Sequence, residues 1–299
     1  MSFRPNGSLR GMSKTTHVIE HAQADITYDV HGPLPTADGR PPLMMIGQPM
    51  AASGFRALAA LMPERTVITY DPRGMDRSTR HDGRVDASPT VQAKDVHAVI
   101  EAVGAGPVDL FASSGGAVTA LALVAAHPDD VVTLVAHEPP LIDMLPDKDA
   151  ARRASDAVQH AYEAKGWGHG MAAFMALTIW QGEYTDAYFA QPAPDPAQFG
   201  LPTADDGTRE DPLLTDRAAA IRDYHPDAAA LNAASTRIVI AVGEESRATF
   251  TGRTADGTAA FLGQAATVFP SHHGGFLDGE FGWAGHPEAF AAKLREVLG

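Results

Sequence analysis

Short apolar runs that alternate with helical stretches constrain the fold of this chain more than any other feature. Six runs of four to six residues are rich in aliphatic and β-branched side chains, a pattern typical of strands covered on both faces of a parallel sheet. These runs are Leu43–Gly47, Thr66–Tyr70, Val108–Ala112, Val131–Ala136, Ile238–Val242 and Ala266–Phe269. Helical periodicity predicts helices over Pro89–Val103 and Pro287–Leu298, and Gly115–Ala126 is apolar nearly all round, as expected of a helix packed beneath a sheet. The alternation predicts an α/β fold with a mostly parallel twisted sheet flanked by helices.

Two further patterns fix the expected domain boundaries. Thr16–Glu20 and Ala24–Val30 alternate with period two and predict an antiparallel pair. Roughly ninety residues, 144–234, then interrupt the alternation and are far longer than an ordinary crossover. We therefore expect a flexible N-terminal extension (1–15), a core in two parts (16–143 and 235–299) and an inserted helical cap (144–234). Helices are predicted in this cap for Lys148–Lys165, Gly170–Gln181 and Asp216–Arg222.

Composition excludes several classes of function. The 23 basic and 37 acidic residues give a formal net charge of −14, which argues against nucleic-acid binding. Without cysteine, the chain can have no disulfide, thiolate zinc site or cysteine nucleophile. The sequence contains no HExxH and no GxGxxG motif, so we expect no metal and no cofactor. It shows neither a membrane-spanning run nor a signal peptide, so we expect a cytoplasmic protein with a small-molecule substrate. A homo-oligomer is compatible with these features.

The strongest chemical signal is the junction between the third of these apolar runs and the helix that follows it. A sharp strand-to-helix turn requires small residues two positions before and two after its apex, and it forces the apex side chain outward. With Ser114 at the apex those residues are Ala112 and Gly116, both small. With Ser113 at the apex, Phe111 would occupy a crowded position. Ser114 is therefore the candidate nucleophile.

Four segments, in this chain order, together resemble the α/β-hydrolase superfamily, and the resemblance covers nearly everything after residue 16. They are Gly47-Gln48-Pro49, Asp71–Ser78, the elbow Ala112–Gly116 and the closing His273-Gly274. The chain departs from the family pattern where Ile46 replaces a histidine, Asp76 a glycine and Ala112 another glycine. More narrowly, it is similar to bacterial α/β hydrolases and to cofactor-free bromoperoxidase-like esterases. The resemblance implies the α/β-hydrolase fold with an inserted helical cap.

A serine hydroxyl is a poor nucleophile near neutral pH and needs a base, which an acid then orients. Members of the family carry the base after the last strand, a position that corresponds to His273. We expect no catalytic role for the adjacent His272. For the acid, the resemblance offers two places. The usual spacing after the penultimate strand falls on Ser246, so only the neighbouring pair Glu244/Glu245 could serve there. We favour the second place, Glu138 at the end of the strand after the nucleophile helix.

Negative charge that develops on a carbonyl oxygen requires two aimed backbone N–H donors. The family assigns these to Gly115, at the start of a helix, and to Gln48, whose side-chain amide could add a third donor. A group of aromatic residues in the predicted cap could line an apolar acyl or aryl pocket or form the core of the cap itself. These residues are Phe174, Trp180, Tyr184, Tyr188 and Phe189.

Together these features predict a serine hydrolase that cleaves a carboxylic ester, thioester or lactone of a small apolar molecule through an acyl-enzyme. One alternative is a perhydrolase or haloperoxidase-like activity at the same site, with peroxide replacing water. Another is a non-catalytic, ligand-binding member of the fold, an alternative that Ser246 keeps open. Haloalkane dehalogenase and epoxide hydrolase chemistry is disfavoured, because both require an aspartate where Ser114 stands.

Overall fold

The computed structural model describes residues 13–215 and 218–299. The expected N-terminal extension lies largely outside this range, and the first strand already begins at Lys14, within the predicted extension. Of the predicted helix over residues 216–222, the first two residues also lie outside the described part.

A nine-stranded sheet forms the centre of the molecule. Its strands are β1 (Lys14–His21), β2 (Ala24–His31), β3 (Leu43–Gln48), β4 (Val67–Tyr70), β5 (Thr79–Arg80), β6 (Val108–Ser114), β7 (Val131–His137), β8 (Arg237–Gly243) and β9 (Thr267–Phe269). The order is β1-β2-β4-β3-β6-β7-β8-β9, and β5 pairs with β2 at one side. β2 is antiparallel to β1, β4 and β5, whereas β4, β3 and β6 to β9 run parallel. The predicted α/β class and the mostly parallel sheet are confirmed.

Ten α-helices accompany the sheet in the described residues. They are α1 (Arg56–Ala60), α2 (Pro89–Val103), α3 (Gly115–Ala126), α4 (Lys148–Lys165), α5 (Trp167–Ile179), α6 (Asp186–Phe189), α7 (Ala219–Arg222), α8 (Ala228–Ala233), α9 (Phe250–Phe261) and α10 (Pro287–Leu298). The bounds predicted for α2, α3, α4 and α10 agree with the structure. The prediction for α5 began three residues late and ended two residues late.

Two apolar layers, one on each face of the sheet, explain why the strands lack polar alternation. In β3, Met44 and Ile46 belong to the layer that packs against α2 and α3. Leu43 and Met45 belong to the opposite layer, which includes side chains from α1 and α10. Because successive side chains of a strand point to opposite faces, a strand covered on both sides is apolar at every position.

The residues between β7 and β8, 144–234, are termed here the inserted segment. They contain α4 to α8, and an apolar cluster joins α4 and α5 to Phe250 at the start of α9. The inserted segment therefore shares a buried core with a helix outside it. Across the described residues, no helix is both long and apolar enough to cross a membrane.

Candidate active site

Ser114 is the last residue of β6 and directly precedes α3. Its backbone is held at φ +57° and ψ −127°, a region that residues other than glycine seldom adopt. A Cβ atom on Gly116 would lie 2.7 Å from the Gly47 Cα atom and 2.8 Å from the Ile46 oxygen. Ala112, two residues before the apex, is fully buried. The crowding that the sequence implied around Ser114 is therefore present in the structure.

Gln48 and Gly115 lie beside this turn. Gln48 ends β3, where it is paired in register with Ser114, and a Cβ on Gly115 would lie 2.7 Å from the Gln48 backbone oxygen. As the first residue of α3, Gly115 has no intrahelical acceptor for its N–H group. The Gln48 side chain is buried, and its Oε1 atom has no hydrogen-bond partner within the described part of the chain. Both residues line the same cavity as Ser114.

His273 lies in the loop between β9 and α10 and also lines this cavity. Its Nδ1 atom lies 2.6 Å from the Glu138 Oε2 atom. The adjacent His272 is held within its own loop instead: its Nδ1 accepts the Gly274 N–H at 3.0 Å, and its Nε2 lies 3.1 Å from the Ala284 oxygen. His272 lines the cavity too, but both of its ring nitrogens have loop partners.

Glu138 follows β7 directly and is fully buried, with a positive φ of 48°. Its Oε1 accepts the Gly243 N–H at 2.8 Å and the Ser246 hydroxyl, and its Oε2 accepts the Thr251 hydroxyl at 2.5 Å. Burial alone raises the pKa of Glu138. The hydrogen bond and charge of His273, with smaller contributions from His137 and Ser246, reverse this effect and hold the pKa well below its ordinary value. The carboxylate is therefore ionised at neutral pH.

The two other candidate acids have different positions. Glu244 Oε1 accepts the Ser271 N–H at 3.4 Å, and Glu245 is exposed where it lines the cavity. The structure brings Glu138, rather than either of these, to the Nδ1 atom of His273. Ser246, where the family spacing places its acid, donates to that same Glu138 carboxylate. Its hydroxyl role was not predicted from the sequence, and Thr251 was missed entirely.

His137 is a further buried group that the sequence reasoning missed, although it directly precedes Glu138. It has no exposed surface, and its Nδ1 lies 3.2 Å from the Ser113 Oγ. Its Nε2 has no hydrogen-bond partner among the described residues and lies 4.0 Å from Glu138 Oε1. Burial lowers the pKa of His137 to about 4 despite the attraction of Glu138. The imidazole is therefore neutral at pH 7, and its ring lies 5.9 Å from that of His273.

The cavity above these groups has a volume of about 590 Å³. The inserted segment and α9 supply most of its apolar wall, with Val158, Phe174, Leu177, Ile179, Leu214 and Phe250. Of the five aromatic residues singled out in the sequence, Phe174 alone is in the cavity lining. Tyr188 packs edge-on against Trp180, Tyr184 and Phe189 at centroid distances of 4.9–5.2 Å. These four residues belong to the apolar core of the inserted segment.

One group of possible metal ligands occurs in the part of the chain that the structure describes. His97, His127 and Asp130 bring their ligand atoms within 4.8 Å of one another. His97 Nδ1 already lies 2.7 Å from Asp130 Oδ2, and none of the three residues lines the cavity.

Comparison with known proteins gives consistent matches. The family model described as the alpha/beta hydrolase fold matches residues 47–164. The uncharacterized hydrolase YraK of Bacillus subtilis is 35% identical over 80 residues, which are 27% of this chain and only 30% of the length of YraK. Proline iminopeptidase from Mycobacterium smegmatis superimposes with a TM-score of 0.60 at 21% identity, covering 95% of this chain and 97% of that one. An esterase from Thermogutta terrifontis superimposes with a TM-score of 0.59 at 19% identity, covering 94% of this chain and 98% of that one. The two structural matches share the fold of this chain.

Proposed function

We propose that this chain, which belongs to the α/β-hydrolase superfamily, is a serine hydrolase acting on a carboxylic ester, thioester or lactone of a small apolar molecule. The observation that carries the proposal is the 2.6 Å contact between the Glu138 carboxylate and His273, whose side chain lines one cavity with Ser114. A serine at a strained turn, a histidine and a buried ionised acid are the three groups of such a site. The histidine activates the serine hydroxyl, and the acid orients the histidine.

In the proposed reaction, Ser114 Oγ attacks the substrate carbonyl carbon while His273 Nε2 removes the hydroxyl proton. Glu138 accepts the Nδ1–H bond, fixes the tautomer that leaves Nε2 free to act as a base, and stabilises the imidazolium that forms. His273 then returns the proton to the leaving oxygen or sulfur atom as the tetrahedral intermediate collapses to an acyl-enzyme. Water, deprotonated by His273, attacks the acyl-enzyme, and His273 returns that proton to Ser114 Oγ as the acid is released.

The proposed oxyanion donors are the backbone N–H groups of Gln48 and Gly115. Gly115 opens a 12-residue helix, so the positive end of the helix dipole adds to its hydrogen bond. Donors fixed before the reaction stabilise the developing charge without reorganisation, and losing one such donor costs about 3–4 kcal/mol in related chemistry. The proposed cap role of the inserted segment is to cover the acyl group with the apolar wall described above.

Covalent labelling tests this proposal directly. A fluorophosphonate should form one adduct on the peptide that contains Ser114, and Ser114→Ala should abolish both the adduct and the hydrolysis of nitrophenyl esters. The rate is expected to fall about 10⁴-fold or more, since the nucleophile is the centre of a unit that acts together. Ser155→Ala is the matched control, because Ser155 lines the same cavity and has no proposed catalytic role.

Two results would count against the proposal. An unchanged rate in Ser114→Ala would show that another residue or mechanism performs the reaction. Labelling of Ser114 without turnover of nitrophenyl esters of any acyl length would instead favour the non-catalytic, ligand-binding alternative.

A further inference from the structure

Arg222 is the last residue of α7 and lines the cavity that contains Ser114. Its Nε atom is buried and has no hydrogen-bond partner among the described residues. Burial lowers the pKa of Arg222, and the nearby carboxylates of Asp223 and Asp156 do not fully offset this effect. Asp223 is engaged in an ion pair with Arg152. Arg222 is therefore a partly buried cation with one buried N–H that the described residues leave without an acceptor.

The helix α7 packs beside the start of α3. A Cβ atom on Gly115 would lie 2.9 Å from the Ile221 Cδ1 atom, so the residue before Arg222 packs against the start of α3. Gly115 itself directly follows the candidate nucleophile. The helix that carries Arg222 therefore borders the turn that holds Ser114.

The rest of the cavity lining makes Arg222 distinctive. It is the only arginine or lysine among the described lining residues, most of which are apolar or uncharged. Leaving the buried Nε–H of a guanidinium without an acceptor is unfavourable, and the planar group matches a carboxylate through two parallel N–H bonds. A single cation balances one negative charge, and the carboxylate of Glu245 in the same lining opposes a dianion. These features favour a monocarboxylate over a phosphate.

We propose that the substrate carries a free carboxylate on its apolar body and that Arg222 binds this group while Ser114 attacks the ester, thioester or lactone carbonyl. The class of substrate is then a half-ester or an equivalent acyl compound with a separate carboxylate. The identity of the attacked bond rests on the proposed hydrolase function, whereas the carboxylate site does not. The two can therefore be tested separately.

Calorimetry on the Ser114→Ala protein measures binding without turnover. Monomethyl adipate carries one carboxylate, dimethyl adipate carries none, and pentyl phosphate carries a phosphate on a similar chain. Adding Arg222→Met to Ser114→Ala should lower the affinity for monomethyl adipate about 10- to 100-fold, the range expected for hydrogen bonds to a charged group. The affinity for dimethyl adipate should change less than about threefold, because methionine retains most of the apolar stem of arginine. Arg209→Met is the matched control, since Arg209 lies in the inserted segment, pairs with Asp205 and is not part of the cavity lining.

Each outcome has a defined meaning. The carboxylate site would be overturned if Arg222→Met lowered the affinities for both adipates equally, or if it left the affinity for monomethyl adipate unchanged. If pentyl phosphate bound more tightly than monomethyl adipate, the site would be assigned to a phosphate, and the carboxylate proposal would also be overturned. If the wild-type protein hydrolyses neither adipate nor nitrophenyl esters while the Arg222 dependence of binding persists, the hydrolase proposal fails and the carboxylate site stands.

Discussion

Two adjacent residues, His137 and Glu138, are both fully buried, but only Glu138 is charged at neutral pH. Glu138 remains charged because two hydroxyls, a backbone amide and a histidine donate to its oxygens. His137 remains neutral because its hydrogen-bond partner is a single serine and aromatic rings surround it. Hydrogen-bond partners, more than burial, therefore decide which of the two residues is ionised.

Replacing Glu138 by glutamine tests its role as the positioning acid. The amide retains the shape of the side chain but loses the charge and can present a donor to His273 Nδ1, which disfavours the tautomer needed at Nε2. We expect kcat to fall about 10³- to 10⁴-fold, as in related triads. Hydrolysis of a nitrophenyl ester measures this loss, and circular dichroism checks that the variant is folded.

Glu245→Gln is the matched control for the acid, because Glu245 lines the same cavity but is exposed. Its kcat is expected to stay within about threefold of the wild-type value, since exposed charges at a distance are screened by solvent. A larger loss in Glu245→Gln or Glu244→Gln than in Glu138→Gln would assign the acid to the segment after β8.

The neutral state of His137 predicts a specific dependence of stability on pH. Its pKa in the folded protein is about 4, below the ordinary value of 6.5, so the unfolded chain binds the extra proton first as the pH falls. This group should therefore remove about 2 kcal/mol of unfolding free energy between pH 7 and pH 5. The difference in stability between wild type and His137→Gln should shrink by that amount over the same interval.

Urea unfolding at the two pH values measures the effect. His160→Gln is the matched control, because it makes the same substitution at an exposed position on α4. If the difference between wild type and His137→Gln were the same at pH 7 and pH 5, His137 would not be the buried neutral group described above.

At the scale of elements, the success of prediction followed the strength of the local pattern. α2 and α10 were found from their apolar periodicity, and α3 from a sequence that is apolar nearly all round. α9 was not predicted, because two glycines and three threonines give its sequence low helix propensity. Its glycines instead permit close packing: a Cβ on Gly257 would lie 2.4 Å from the Met144 oxygen.

The sequence favoured Glu138 as the carboxylate beside His273 but left the Glu244/Glu245 pair open, for a related reason. Glu138 is 135 residues from His273, and Ser246 and Thr251 join them from a third segment. Each of these segments follows a strand of the parallel sheet, so the strand order β7-β8-β9 brings them together. The sequence identified the candidate residues, while the folded sheet determines which of them meet.

The contact between β3 and α3 should depend on the absence of a side chain at Gly116. A Cβ atom there would meet three backbone atoms of Ile46 and Gly47 at 2.7–2.9 Å, and none of them belongs to a flexible side chain. Gly116→Ala should therefore force α3 away from the sheet and cost about 2–4 kcal/mol of unfolding free energy, comparable to severe overpacking. The ester-hydrolysing activity should fall with it, because α3 carries Gly115.

Gly39→Ala is the control for this substitution. Gly39 has a positive φ of 70°, but its Cβ would meet no atom within 4 Å. Only the backbone strain of about 1 kcal/mol is then expected, with activity unchanged. Equal destabilisation by the two alanines, measured by urea unfolding, would show that packing between β3 and α3 does not require the glycine.

At the scale of the whole molecule, the inserted segment contacts the rest of the protein through α9 as well as through its two chain connections. Arg253 on α9 forms an ion pair with Asp147, which precedes α4, and donates to the Gly182 oxygen at 2.8 Å. Asp147 also accepts the Tyr184 N–H at 2.7 Å. The side chains of Arg253 and Asp147 are only 12% and 10% exposed, so this pair is shielded from water.

Because the pair and the apolar cluster both cross the boundary, the inserted segment should unfold together with the sheet. Calorimetry of the wild-type protein should show one transition. Asp147→Asn leaves Arg253 without its counter-charge and should lower the midpoint of that same transition, at a cost of about 2–4 kcal/mol. Asp205→Asn removes a carboxylate from an exposed pair with Arg209 in the same segment and should leave the midpoint unchanged. Two separate transitions in the wild type, or a shift in Asp147→Asn no larger than in Asp205→Asn, would mean that the inserted segment is held independently of this pair.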